Sequence, residues 1–321
     1  MDSSPAAISV APNPTLGIGL KCLSVLVFVA MQTSIKIGGQ GIPAGEIVFF
    51  RSFFALLPVF IYLAWLGQVR TALRTDDLGG HFIRGAVGVS SMGLGFFALT
   101  RLPYPEWISI SYATPLLTVV FAALFLGEVV RAYRWTAVVV GLVGVLVVLA
   151  PNLSLLGTED ALAPAGDEQA IGALASMASA VFAAFAMIQV RRLVRKENTA
   201  TIVVFFSLTC SAIALLTVWN WVVPTPWQAF WLVMAGLFGG VGQLLLTACY
   251  RYADTSTIAP FEYTSLLLAI AIGAILFNEA IYVTTLIGGA IVVGAGIFII
   301  WRERRLGIER AKARRVSTPN G

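Results

Sequence analysis

Apolar runs of about 20 residues follow one another almost end to end along this chain, separated by short stretches rich in Gly, Pro, Arg and Asp. A helix needs roughly 20 apolar residues to cross about 30 Å of hydrocarbon, so each run reads as a membrane span. The spans fall near 16–37, 44–66, 82–100, 104–127, 133–150, 170–190, 200–223, 228–250, 256–277 and 281–301. Strands of a closed barrel would alternate apolar and polar residues in segments of about 10, which these runs do not. The fold class is therefore an all-α membrane protein of ten transmembrane helices. The first run, Leu16 to Ile35, is too long for a signal-peptide core and has no small-residue cleavage pattern, so it reads as a retained span behind a leader, 1–15.

Composition agrees with the pattern. Of 321 residues, 58% are hydrophobic and 12% charged, with a mean hydropathy of +0.88, more apolar surface than one soluble core can bury. Cys22, Cys210 and Cys249 lie inside apolar runs without ligand spacing, and His81 stands at a loop edge. Disulfide, metal and cofactor sites are not expected. The sequence contains no Gly-x-x-x-x-Gly-Lys-Ser/Thr, His-Glu-x-x-His or Gly-x-Ser-x-Gly pattern. That argues against phosphate-loop ATP hydrolysis and against an intramembrane enzyme.

The net charge of +5 sits in loops and in the basic tail, 302–321, so it reports orientation rather than nucleic-acid binding. Arg70, Arg74, Arg84, Arg131, Arg134, Arg191, Arg192, Arg195, Lys196 and Arg251 share a side with that tail if the amino terminus is cytoplasmic. The opposite loops carry Lys36 and Arg101, and the linker 151–169 carries only acids, Glu159, Asp160, Asp167 and Glu168. Both termini are therefore expected in the cytoplasm of a cell whose inner membrane holds the chain. The tryptophans, Trp65, Trp107, Trp135, Trp219, Trp221, Trp227, Trp231 and Trp301, fall near span ends, as an aromatic belt would.

An internal repeat runs through the chain at a constant offset of 151 residues, carrying Tyr112 onto Tyr263, Glu128 onto Glu279, and Gly85 and Gly88 onto Gly236 and Gly239. Each unit, 16–150 and 170–301, holds five spans. Five is odd, so the second copy starts on the opposite side of the membrane and the repeats are inverted. Inverted repeats generate conformations open to alternate sides, with the site between them near the midplane. Channel and enzyme are the other classes, but neither a filter sequence nor a convergent set of nucleophile, base and metal ligands is visible.

The run Tyr112-Ala113-Thr114-Pro115-Leu116-Leu117 with Ala122-Ala123-Leu124-Phe125-Leu126-Gly127-Glu128 resembles the signature of the drug/metabolite transporter superfamily, EamA type, as do Arg51 in the second span and the second acid, Glu279. The likeness extends from about 16 to 301 and is weaker in the second half, where Leu266 stands opposite Pro115 and the proline comes earlier, at Pro260. The resemblance implies a ten-helix exporter or exchanger of amino acids or related metabolites, most like the aromatic amino-acid exporter branch, for which a monomer suffices. Import of a nucleoside-like or S-adenosylmethionine-like metabolite is the alternative.

Candidate binding residues follow from the cost of polarity in hydrocarbon. Glu262, expected about two turns inside the ninth span between Phe261 and Tyr263, could bind a substrate ammonium or carry a proton; a structural acid nearer the interface is the other reading. Arg51, about 10 Å from its span end, has Glu106 as a natural ion-pair partner, or else meets a substrate carboxylate. Pro115 and Pro260 each remove a backbone hydrogen bond and can open a helix toward a cavity. Gln32, Ser91, Ser111, Tyr112, Gln189, Gln243 and Tyr263 are further candidates for a substrate-lining wall, although hydrogen bonds between helices account for many such residues. Glu128 and Glu279, at span ends, read as cap or loop acids.

The orientation can be checked directly: reporters fused after Arg315 and inserted near Arg192 should read cytoplasmic, and one at Gly157 external. A cytoplasmic Gly157 breaks the odd repeat and the inversion with it.

Overall fold

The computed structural model describes residues 14–75, 77–126, 130–154, 164–193, 197, 199–252 and 259–316. The leader up to residue 13, most of the linker, Glu128, Arg195, Lys196 and the last residues of the tail lie outside them. Every described element is helical, as backbone groups in hydrocarbon require, because no water is there to take an unpaired N–H or C=O.

The helices are α1 (Pro14–Gly38), α2 (Ala44–Trp65), the short α3 (Val69–Ala72), α4 (Leu78–Leu99), α5 (Tyr104–Ser111), α6 (Ala113–Leu126), α7 (Ala132–Ser154), α8 (Pro164–Leu193), α9 (Thr199–Leu215), α10 (Pro226–Tyr252), α11 (Thr264–Leu276) and α12 (Val283–Val316). Turns of 3-10 helix, Val218–Asn220 and Ala259–Tyr263, precede α10 and α11. Eight helical segments are long and apolar enough to cross a membrane, and Ala200–Leu215 and Phe261–Leu276 are shorter apolar helices, about 24 Å at 1.5 Å per residue.

Local chemistry sets the ends. Asp77 caps α4 by accepting the Gly80 N–H at 2.9 Å. Gly67, at φ +65°, turns the chain out of α2 while Gln68 N–H returns to Leu63 C=O at 2.9 Å, the Schellman arrangement. The expected fourth span is two helices: the break falls at Tyr112, and Pro115 lacks the N–H that Ser111 C=O would accept. At the other extreme, α12 runs past the membrane edge through a tail expected to be separate. Its Arg, Glu, Lys and Ala are good helix formers, so nothing stops the helix at Trp301.

Helix pairs assemble on small residues. In the packing, α1 lies on α10, α4 on α8, α7 on α12, and α2 on both α9 and α10, while α4 also meets α9. Lipid tails are as apolar as leucine, so close van der Waals approach holds such pairs together. Gly236 of α10 leaves no room for a side chain: an added Cβ would stand 2.8 Å from the Phe50 carbonyl oxygen and overlap Phe54 of α2. Gly85 meets Thr209 of α9 in the same manner. Trp65 and Trp219 are 81% and 88% exposed, as a belt requires, whereas Trp107 is buried with its indole N–H on Gly95 C=O at 2.9 Å and takes a different role.

Gly236→Ala should separate α2 from α10 at a cost of about 1–3 kcal/mol. A lowered unfolding midpoint in detergent is the expected reading; an unchanged midpoint would show that the helices part without strain.

Candidate functional site

A cavity of about 530 Å³ lies between α1, the α5–α6 break, the turn before α11, and α12, with Met187 of α8 and Leu246 of α10 completing the wall. Its surface is mostly apolar and aromatic. Tyr112 and Tyr263, the repeat-related pair, meet edge to face with ring centroids 5.1 Å apart. Ser265 donates to the Glu262 carbonyl at 2.7 Å and therefore accepts from the Tyr112 hydroxyl at 2.5 Å, which ties the α5–α6 break to the start of α11. Gly296 of α12 gives the Tyr263 hydroxyl its space, since a Cβ there would overlap it. Of the polar wall residues, Gln32 accepts from the Tyr104 hydroxyl behind it at 2.7 Å and Ser111 donates to Trp107 C=O at 2.8 Å.

One ion pair stands in this wall. Lys21 of α1, only 3% exposed, places Nζ 3.3 Å from Glu262 Oε2, while the Glu262 side chain is 60% exposed. Glu262 is thus not two turns deep in a span. It belongs to the 3-10 turn that opens α11, at the mouth of the cavity, because the helix starts later than the apolar run. An ammonium has three donors and this one has a single hydrogen bond among the described contacts, so it retains capacity for a second acceptor.

The opposite end of the bundle is tied shut. Lys36, roughly 22 Å from Lys21 along α1, donates to Glu279 at 2.8 Å and to the carbonyls of Leu102 and Leu99 at 2.6 and 3.3 Å. Glu279 accepts the Tyr104 N–H at 2.7 Å and so caps α5, where the helix dipole favours a carboxylate. Gln228 Nε2 adds a bond to Gln40 C=O at 2.9 Å, and Gln40 itself donates to Thr100 C=O at 3.3 Å.

Of the candidate residues, the cavity gathers Glu262, Tyr263, Tyr112, Ser111, Gln32 and Pro115. Gln189 and Gln243 are absent from its wall. Ser91 lies elsewhere, in a reciprocal clasp with Ser179: each hydroxyl donates to the other's carbonyl, at 3.0 and 2.7 Å, joining α4 to α8. Pro260 falls in the turn before α11, so it starts that element rather than kinking it.

The ion pair expected between Arg51 and Glu106 is not formed, which corrects the reading from matched depth. Arg51 lies against Gly239 of α10, and its Nε has no hydrogen-bond partner. Glu106, buried in the first turn of α5, lies within electrostatic reach of Lys36. Depth along two helices does not fix which faces they turn to each other.

Lys21, Trp107 and Ser265 are site residues that sequence reasoning missed. The signal for Lys21 was a lone cation in a 25-residue helix otherwise free of charge until Lys36. Read by the cost of a charge in hydrocarbon, that lysine asks for an acid.

Comparison with known proteins agrees with this architecture. The model of the EamA-like transporter family matches the chain twice, over residues 15–150 and 170–302. The chain belongs to that family. Its EamA-like relatives include the pseudopaline exporter CntI of Pseudomonas aeruginosa, 29% identical over 88% of this chain and 94% of the relative. The S-adenosylmethionine uptake transporter of Rickettsia bellii is 26% identical over 91% and 95%, and the riboflavin transporter of Vibrio cholerae 27% over 88% and 90%. A solved crystal structure matches with a TM-score of 0.62 at 21% identity, over 89% of this chain and 97% of its own, a likeness of fold. The protein is therefore a multi-pass membrane transporter of the drug/metabolite superfamily and not an enzyme.

Lys36→Met should strand the Glu279 carboxylate and cost about 3–5 kcal/mol, whereas Lys36→Met with Glu279→Gln should recover part of it. Unfolding midpoints of the four proteins in the cycle measure the coupling; additive losses would mean that the two side chains do not interact.

Proposed function

We propose that this protein exports or exchanges amino acids, aromatic and other neutral ones, or related small metabolites across the inner membrane by alternating access. Ten crossings form two inverted five-helix halves in this reading, with both termini cytoplasmic and the linker 151–169 external. The observation that carries it is the Lys21–Glu262 pair at the mouth of an aromatic cavity whose far end is held by Lys36 and Glu279. A zwitterion offers a carboxylate to Lys21 and an ammonium to Glu262, and its side chain meets tyrosine rings.

Helix packing supports the inverted halves. Exchange of α1, α2, α4 and α7 with α8, α9, α10 and α12 turns the α1–α10 contact into α8–α4 and the α2–α10 contact into α9–α4, both of which occur. Gly85 against α9 and Gly236 against α2 obey the same exchange. Under the proposed orientation the cavity is open to the cytoplasm and Lys36–Glu279 is the outer closure.

Direction remains the point on which a second reading enters. A relative named for uptake of S-adenosylmethionine, beside one named as a riboflavin transporter, favours an importer of such metabolites. Riboflavin has no α-amino acid head to engage both charges, so competition separates that substrate from an amino acid, while S-adenosylmethionine carries such a head and is separated by testing it as a counterflow substrate itself.

Counterflow of labelled amino acids in proteoliposomes tests the proposal. Glu262→Gln keeps the shape and removes the charge; it should cut transport about tenfold or more at equal folded protein. Tyr112→Ala should weaken apparent affinity more for bulky substrates than for small ones. Unchanged kinetics in both variants, or counterflow inhibited by riboflavin and by no amino acid, would reject the amino-acid reading.

A further inference from the structure

Two cations within the span helices have no counter-charge among the described residues. Arg51 of α2 is 4% exposed, and its Nε, the Nε of Arg84 in α4 and the Ser52 hydroxyl are all enclosed without a hydrogen-bond partner. The ion pairs of the described residues reach neither guanidinium. The two arginines nevertheless lie within electrostatic reach of each other and of Cys210 in α9. That thiol faces Gly85 C=O at 3.9 Å. Arg84 has the face of Phe206 at 4.0 Å as partial compensation.

A guanidinium keeps its proton in proteins, so the escape open to a buried lysine is closed here. Two like charges repel across a medium that screens poorly, and each is costly by itself in hydrocarbon. Water could take the free N–H groups but would leave the charge in place.

The geometry points to a small inorganic anion of the chloride class bound between Arg51, Arg84 and Ser52, where α2, α4 and α9 meet one another. Both guanidiniums are packed against glycine backbone rather than into an open cavity, which suits a single-atom anion better than a larger oxyanion. A Cβ on Gly88 would stand 2.6 Å from Arg84 Nη1, and one on Gly239 would stand 3.3 Å from Arg51 Nε. None of these residues belongs to the cavity wall, so the ion acts as a structural ligand that joins three helices and is separate from the transported molecule.

The test is thermal unfolding of the purified full-length protein in sodium chloride, sodium gluconate and sodium sulfate at equal ionic strength. Chloride should raise the midpoint by several degrees over both other salts and saturate with concentration, as a bound ligand does. Arg84→Gln removes a ligand and also one of two repelling charges. It should abolish the chloride response and melt in gluconate no lower than the unsubstituted protein; Arg51→Gln should abolish the response too. Equal midpoints in the three salts, protection by sulfate equal to that by chloride, or a chloride response that survives both substitutions overturns the site.

Discussion

Hydrocarbon cannot solvate a charge, and the arrangement of this bundle follows from where its few charges find partners. Lys21, Lys36, Arg51 and Arg84 all lie within helices that are otherwise apolar and uncharged over most of their length. Two of the four reach carboxylates, at the two ends of one helix. Helix α1 is thus fixed at one end to the start of α11 and at the other to the loop that follows it. The cavity is the space left where the first of these contacts opens to solvent, and the closed end is where the second is buried.

Much of the fold was legible because lipid imposes a coarse rule. Apolar runs of about 20 residues located nearly every helix, and the offset of 151 found the pairing of Tyr112 with Tyr263 that the structure brings into ring contact. What escaped was azimuth. A period of 3.6 residues carries little information in a helix that is apolar all round, so the faces on which Glu106, Gln189 and Gln243 lie could not be read from their depth. Glu262 was found for its chemistry but assigned the wrong depth, since the 3-10 turn that holds it begins where the apolar run is already under way. Lys21 escaped for the opposite reason: a single lysine near a helix start is usually read as reaching for the interface, yet this one is enclosed.

The two ion pairs differ in a way that bears on transport. The Lys36 and Glu279 side chains together make four hydrogen bonds, one to the carbonyl that ends α4, one to a carbonyl of the loop between α4 and α5 and one to the N–H that opens α5. Separating that end means breaking the set together, because each bond positions the next. Lys21 and Glu262 share one longer contact, with the acid mostly exposed, so a competing carboxylate can take Lys21 without leaving Glu262 enclosed and unpaired. A molecule carrying both charges substitutes for the pair with little change in net charge. Closing this end over an empty pair would instead bury a carboxylate that is now 60% exposed. Under the proposed reading binding and closure are coupled: a zwitterion would bring the counter-charges that make desolvation of Lys21 and Glu262 tolerable, whereas an amine or an acid alone would bring only one of them.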